Sequence, residues 1–298
     1  MAQVDILEKS ALVVGSDGRI KALYRDISPD DSRLQIPGAA FHQLDASSFI
    51  IPGFDDTHNH APQCSMRGLG QGLHILDWLD QVMFPHEAHF SDSTYAGRVN
   101  ENCVDSFLKQ GITIASYYGS KHSGDADPCK YLQGQGPKGL CKAFVGKCNM
   151  DGNAPEPPQG LGKITQDESQ LAIQAHFHKG QQEINATKEL FPGFKSEADL
   201  LECGVARCPI SNMAVGGSFM VASIRQSLNR NIEVGLGTDT GGRFSSSTLD
   251  AIRQAMIASN AREVLSEGKY KALTLDKFFY LAKMGGAKAC YLENEIGN

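Results

Sequence analysis

Residues 48–63 read SFIIPGFDDTHNHAPQ, an apolar run followed by a Pro-Gly pair and a polar tail that contains two histidines. We expect residues 49–51 to form a short buried strand that leads into His58 and His60. Residues two apart on an extended chain point to the same side, so both imidazoles can face one point. Neutral imidazole is a common ligand of zinc and iron, and the pair therefore predicts a metal site. The alternative is a pair of surface histidines in a loop, which a rigid strand before them disfavours.

The bulk composition limits the classes of protein to consider. The chain has 298 residues, of which 41% are hydrophobic and 21% charged, as is ordinary for a globular protein. A net charge of −6 argues against nucleic acid as a partner. The sequence has no apolar run of membrane-spanning length and no basic-then-apolar leader, so we expect no membrane partner and a cytoplasmic location. The eight cysteines lack CxxC spacing, which favours reduced thiols over a zinc ribbon or disulfide framework.

Two domains are predicted from the hydrophobic pattern. Residues 11–24 read ALVVGSDGRIKALY, two apolar runs around Asp17-Gly18, which predicts a β-hairpin within an N-terminal domain of residues 1–48. Residues 49–298 alternate between strand-like and helix-like segments, which predicts an α/β domain with a parallel sheet. After the first strand, we predict strands over residues 112–118, 143–148, 171–176, 204–208 and 232–237, and helices over residues 73–83, 95–108, 181–190, 249–261 and 274–284.

Candidate ligands follow three of these strands. His58 and His60 follow the first strand, His176 ends the strand over residues 171–176, and Asp239 follows the last. In a closed parallel barrel all the carboxyl ends emerge at one face, so these side chains would converge. Three imidazoles and a carboxylate suit catalytic zinc or ferrous iron, which lowers the pKa of its bound water to roughly 7. Taken singly, His176 remains open to interpretation as a core residue, and Asp239 as a helix cap or turn residue.

Three blocks of sequence carry a family resemblance: PGFDDTHNHAPQ, LDWLDQVMFPHEAHF and LGTDTGGRFSSSTLDAIRQAM. Together they resemble the guanine deaminases of the metal-dependent amidohydrolase superfamily, over most of residues 49–298. The resemblance implies a TIM-like (β/α) barrel, a small β-sandwich built from both chain ends, and hydrolytic deamination of guanine to xanthine and ammonia at one zinc ion. We also expect a homodimer. By position, the family's zinc ligands match His58, His60, His176 and Asp239, of which His176 and Asp239 are also expected to be catalytic, and its guanine contacts match His60, Ala61, Pro62 and Gln63.

The sequence departs from this family at the position of the glutamate that shuttles protons to the purine ring. Lys179 stands there, and a lysine is already protonated at pH 7 unless burial lowers its pKa by several units. His178 and Glu183 are nearby but do not match the position. Two other family features, an arginine that holds the purine carbonyl and a further active-site histidine, have no match. We therefore expect little or no turnover.

Two gaps in spacing predict an incomplete barrel. Only 20 residues (151–170) and 26 residues (179–204) stand where longer units are expected, and one βαβ unit needs roughly 30 residues. We expect two barrel strands to be missing, and the chain stops where the family continues into its β-sandwich. The favoured interpretation is an incomplete guanine deaminase. The alternatives are a metal-binding pseudoenzyme that pairs with an intact deaminase, and a related hydrolase acting on another amino-azine.

Overall fold

The computed structural model describes residues 4–120, 122, 142–147, 204–214, 224–241, 244–290 and 292–294, and of residues 142–147 it describes the backbone alone. The predicted strand over residues 171–176 and the predicted helix over residues 181–190 lie outside these ranges, as do His176, His178, Lys179 and Glu183. The chain divides into two units, residues 1–52 and residues 53–298, and each is described by itself.

The first unit contains the predicted hairpin. Strand β1 (Ala11–Val14) pairs antiparallel with β2 (Ile20–Tyr24), which confirms the prediction. Asp17 organises the turn, since its carboxylate accepts the backbone N–H of Arg19 at 3.1 Å and the ammonium of Lys21 at 2.7 Å. Gly18 follows with a φ of 75°, a conformation that glycine adopts without steric cost. A short 3₁₀ helix, Ser32–Leu34, completes the regular structure of this unit.

The strand that carries the histidines begins later than predicted. Strand β3 is Phe54–His60, whereas residues 49–51 are exposed and form no strand, so the prediction for those three residues is wrong. Parallel pairing begins at Phe54, whose N–H donates to the carbonyl of Gly111 at 2.8 Å. The two histidines are therefore part of the strand and do not follow it. Strand β3 pairs in parallel with β4 (Ile112–Gly119), which pairs in parallel with β5 (Lys142–Lys147).

The predicted strands over residues 204–208 and 232–237 form a second parallel sheet, and the predicted helices over residues 95–108 and 249–261 are present. Strand β6 (Val205–Arg207) pairs in parallel with β7 (Val234–Leu236). Helix α3 begins after Asp92, whose carboxylate caps it by accepting the N–H groups of Thr94 and Tyr95. The described α-helices are α1 (Ile75–Trp78), α2 (Phe84–Glu87), α3 (Ser93–Leu108), α4 (Pro209–Ala214), α5 (Ile224–Asn229), α6 (Thr248–Leu265), α7 (Leu275–Leu281) and α8 (Met284–Ala289). A π-helical turn, Leu79–Met83, joins α1 to α2, and the segments Ala61–Met66 and Ala88–Ser91 are 3₁₀ helices.

One large apolar core packs β3, β4 and β7 against the helices. Phe107 of α3 stacks on Tyr117 of β4 with ring centroids 5.9 Å apart, and both side chains are buried. Val234 and Leu236 of β7 are fully buried in the same core, together with Phe278 of α7. The core thus fixes the carboxyl ends of β3 and β7. Within the described residues the parallel strands form two separate sheets and do not close into a barrel. None of the described helices has the length and apolar character that a membrane span requires.

Candidate metal centre

The two histidines of β3 face the same point. His58 and His60 lie two residues apart on the strand and are both buried, with ring centroids 5.1 Å apart. Tyr118 of β4 packs against both rings, with centroid distances of 4.5 Å to His58 and 5.2 Å to His60. Because the backbone of β3 is paired with β4, the strand and this aromatic neighbour together fix the direction of the imidazoles.

The end of β7 brings Asp239 to the same place. The backbone N–H of Asp239 donates to the carbonyl of His58 at 2.8 Å. Gly237 makes this approach possible, since a Cβ at that position would lie 2.7 Å from His58 Cβ and 2.8 Å from the His58 carbonyl oxygen. Asp239 has a φ of 50°, a conformation that aspartate tolerates better than most residues.

The three side chains converge as the sequence predicts. Asp239 Oδ1 lies 3.4 Å from His58 Nε2 and 3.2 Å from His60 Nε2. The donor atoms of the three residues lie within 4.8 Å of one another, and no other described set of histidine, cysteine, aspartate and glutamate side chains forms such a group. His176, the remaining predicted ligand, lies outside the described residues.

The environment sets the protonation states that a metal requires. Burial alone would raise the pKa of the Asp239 carboxyl, but hydrogen bonds from His58 and His60 hold it well below its usual range. Burial lowers the pKa of His60, and the nearby carboxylate opposes this only in part. The site therefore offers a carboxylate and a neutral imidazole near neutral pH, which are the forms that bind zinc. The donor set fits a divalent metal ion.

Asp56 is a buried acid of this site that the sequence interpretation missed. It lies two residues before His58 on β3, and the pairing of β3 with β4 shifts register between Asp56 and Asn59. Its carboxylate accepts the N–H of Thr238 at 2.8 Å and the hydroxyl of Thr238 at 2.5 Å. Burial raises the pKa of Asp56 to about 7 despite these hydrogen bonds. The sequence signal for this residue was its position two residues before the histidine pair, which does not reveal its partner Thr238.

The predicted guanine-contact segment lies directly after the histidines. Ala61–Met66 forms a 3₁₀ helix, in which Ala61 and Pro62 are buried while Gln63 is partly exposed. Gln63 packs on Gly241, in the loop after Asp239, where a Cβ would come within 2.1 Å of Gln63 Cβ. The predicted substrate contact and the candidate ligand Asp239 thus belong to two segments in direct contact.

Comparison with known proteins agrees with the predicted family resemblance. No protein family model matches the chain. Guanine deaminase from Rattus norvegicus is 28% identical over 372 aligned residues, covering 99% of this chain and 80% of the relative. The crystal structure of guanine deaminase from C. acetobutylicum with bound guanine matches with a TM-score of 0.79 at 23% identity, covering 99% of this chain and 84% of that protein. Atrazine chlorohydrolase from Arthrobacter aurescens, solved with zinc, matches with a TM-score of 0.70 at 15% identity, covering 98% and 80%.

These matches confirm the resemblance to guanine deaminases, and the solved structures show that the chain shares their fold. They are consistent with the TIM-like barrel that the resemblance implies. The alignment with the rat protein is 372 residues long and the chain has 298, so some segments of the relative have no counterpart here.

Proposed function

We propose, on the premise that this chain is a guanine deaminase-like protein of the amidohydrolase type, that it hydrolyses guanine to xanthine and ammonia at one zinc ion. The observation that carries the proposal is the convergence of His58, His60 and Asp239 within 4.8 Å at the ends of two parallel strands. Such a site matches the part of the fold where parallel α/β barrels carry their chemistry. The relatives are hydrolytic deaminases, which does not favour the non-catalytic alternative.

The ligands of the metal would be His58, His60 and Asp239 together with His176. A divalent metal held there would acidify the attacking water and so supply a nucleophile at neutral pH. Zinc is the ion expected from this set of imidazoles and a carboxylate, and ferrous iron is the alternative. The solved atrazine chlorohydrolase with zinc supports the choice of zinc.

Asp239 would move the proton. Its low pKa keeps the carboxylate ionised, so it can accept a proton from the attacking water. The water oxygen then bonds to the guanine carbon that carries the exocyclic amine, and the bond from that carbon to the amine breaks. Passing the proton to the departing nitrogen completes the exchange of water for ammonia. His176 is proposed as the second catalytic residue.

Residues His60–Gln63 would bind the purine. The side-chain amide of Gln63 carries both donors and an acceptor, which suits the mixed edge of guanine. Its contact with Gly241 places it beside the loop that follows Asp239, so substrate contact and metal ligand lie together. This arrangement supports guanine as the substrate, although Lys179 stands where the family has its proton-shuttle glutamate. Our expectation of little or no turnover stays a prediction.

The wider organisation is also part of the proposal. We propose that residues 1–48 are the remnant of a composite β-sandwich and that residues 49–298 form a barrel lacking two strands. Some segments of the rat guanine deaminase have no counterpart in this chain, which supports the proposal that internal units are missing. A homodimer and a cytoplasmic location complete the proposal, with no nucleic acid or membrane partner.

The test is a deamination assay on the purified full chain, with and without added zinc. We expect guanine to be lost and xanthine and ammonia to appear in equal amounts, in a reaction that a chelator stops. His60→Ala and Asp239→Ala should abolish it, whereas Leu76→Ala, at a side chain 75% exposed, should not. A rate far below that of an intact deaminase would agree with the departure at Lys179. Zinc-loaded protein that forms neither product would overturn the proposed activity.

A further inference from the structure

We infer that Asp56 is a positioning residue for the metal centre, which sets Asp239 opposite the imidazoles of His58 and His60 by holding Thr238. This inference rests on the proposed metal site and adds a residue to it. Its hydrogen bonds run to the backbone of His58 and to Thr238, so we place its action on the segments that carry the ligands.

A single carboxylate bonds to both segments that carry ligands. Asp56 Oδ1 accepts the backbone N–H of Thr238 at 2.8 Å and that of His58 at 3.3 Å. Its Oδ2 accepts the hydroxyl of Thr238 at 2.5 Å. Both side chains are buried, Asp56 completely and Thr238 with 1% of its surface exposed. The bonds are therefore shielded from water, and hydrogen bonds are stronger in such surroundings.

We call the bonds of Asp56 to His58 and Thr238 the clamp. The clamp is needed because β3 and β7 belong to different sheets. Among the described residues, β3 pairs with β4 and β7 pairs with β6, so no regular ladder joins the strands that carry the ligands. Their hydrogen-bonded links near the site include the Asp239–His58 backbone bond and the bonds of Asp56. Thr238 directly precedes Asp239, so a shift of Thr238 displaces the carboxylate from the two imidazoles.

Asp55 shows that this role does not follow from burial alone. It is the neighbouring residue on β3, is also buried, and points to the opposite side, where a Cβ on Gly286 would lie 2.9 Å from its own Cβ. Within the described residues, neither carboxylate oxygen of Asp55 has a hydrogen-bond partner. Asp55 thus offers a matched control: the same residue type, strand and burial, without the clamp.

The experiment measures zinc affinity by chelator competition in the full chain, together with the melting temperature of the metal-free protein. Partners of metal ligands typically contribute about 10- to 100-fold to metal affinity, and we expect a loss in this range for Asp56→Ala. Because that variant leaves buried N–H groups without an acceptor and is at risk of not folding, Thr238→Val supplies a second arm that removes only the hydroxyl. Thr238→Val should lose affinity, and Thr238→Ser, which keeps the hydroxyl, should recover it. Asp55→Asn should bind zinc as the wild type does.

The possible results separate this inference from the proposed function. Wild-type protein that binds no zinc overturns the proposed metal site and this inference with it. If the wild type binds zinc and the folded Thr238→Val and Asp56→Ala variants retain its affinity, the inference alone is overturned. This holds even where the melting temperature of the variants falls. It is also overturned if Asp55→Asn loses as much affinity as the folded clamp variants, because burial would then explain the effect.

Discussion

The backbone N–H of Asp239 donates a hydrogen bond to the backbone carbonyl of His58, with 2.8 Å between nitrogen and oxygen. This bond joins two chain segments 181 residues apart, at the ends of strands that lie in different sheets. The close approach of the two backbones brings the Asp239 carboxylate to 3.4 Å and 3.2 Å from the two imidazoles. The candidate metal centre therefore depends on backbone packing as much as on the ligands themselves.

Gly237→Ala should weaken metal binding by separating the two segments. The new Cβ would lie 2.7 Å from His58 Cβ and 2.8 Å from the His58 carbonyl oxygen, distances that backbone atoms cannot relieve by a rotamer change. Overpacking of this kind costs about 1–3 kcal/mol of stability. We expect the zinc affinity, measured by chelator competition, to fall together with the free energy of unfolding.

Gly97→Ala is the control for that substitution. Gly97 lies in α3, where an added Cβ meets nothing within 4 Å. Replacing glycine by alanine inside a helix stabilises it by about 0.5–1 kcal/mol, so this variant should be at least as stable as the wild type. Unchanged zinc affinity in Gly237→Ala would show that the backbone contact does not shape the site.

Gly241→Ala should affect substrate binding. Its Cβ would lie 2.1 Å from the Cβ of Gln63 and 2.6 Å from the Gln63 carbonyl oxygen, so the predicted guanine contact would have to move. We expect the KM for guanine to rise by more than kcat falls, since the displaced group binds substrate and does not react. Gly241 has a φ of 97°, which strains an alanine there. Gly268→Ala separates this strain from the contact, because Gly268 has a φ of 78° but a Cβ there would have only the end of Lys271 within 4 Å. Equal kinetic effects in both variants would contradict the proposed contact.

The convergence of the candidate ligands from distant strands was predictable from the sequence. Alternation along an extended chain fixes His58 and His60 to one side, and Asp239 follows an apolar run that ends in Gly-Thr. The topology of parallel strands then brings their carboxyl ends together without any knowledge of contacts. The hairpin turn at Asp17 and the N-cap at Asp92 were predictable for a local reason, because each side chain bonds to backbone within three residues.

The start of β3 and the role of Asp56 were not predictable in this way. Residues 49–51 are apolar, yet they are exposed, and the strand begins at Phe54, where pairing with β4 begins. Apolar character indicates a preference for burial, but the pairing partner decides where a strand starts. Asp56 bonds to Thr238, 182 residues away, and a sequence without its fold does not reveal that partner.

Met66→Ala should destabilise an apolar cluster next to the predicted substrate segment. Met66 is the last residue of the 3₁₀ helix Ala61–Met66, which begins with the predicted guanine contacts. Met66 is fully buried against Trp78, Leu79 and Met83, so truncation leaves a cavity that the surrounding side chains fill only in part. Such substitutions cost about 2–5 kcal/mol. Trp78 is the one tryptophan of the chain, and its fluorescence during urea denaturation should show a lower midpoint. Leu76→Ala, at an exposed position two residues before Trp78, should change the free energy of unfolding by less than about 0.5 kcal/mol, and equal effects would contradict the packing.

Lys283 should make the stability of the protein depend on pH in the alkaline range. Burial lowers the pKa of this ammonium to about 8, and it lies 4.5 Å from the ring centroid of Phe54. Between this value and the ordinary lysine pKa of about 10.4, the unfolded chain holds a proton that the folded chain has released. Stability rises with pH wherever the unfolded state binds more protons. The free energy of unfolding of the wild type, relative to Lys283→Met, should therefore increase from about pH 8 to about pH 10.

Two variants make this measurement specific to Lys283, since other groups also titrate in that range. Lys283→Met never carries a charge, whereas Lys283→Arg carries one throughout because the guanidinium pKa exceeds about 12. Neither side chain titrates between pH 8 and 10, so the wild type should gain stability with pH by a similar amount relative to both. Wild-type and variant stabilities that change in parallel across this range would show that Lys283 keeps its proton to the ordinary lysine pKa, and that its burial beside Phe54 does not disfavour the charged form.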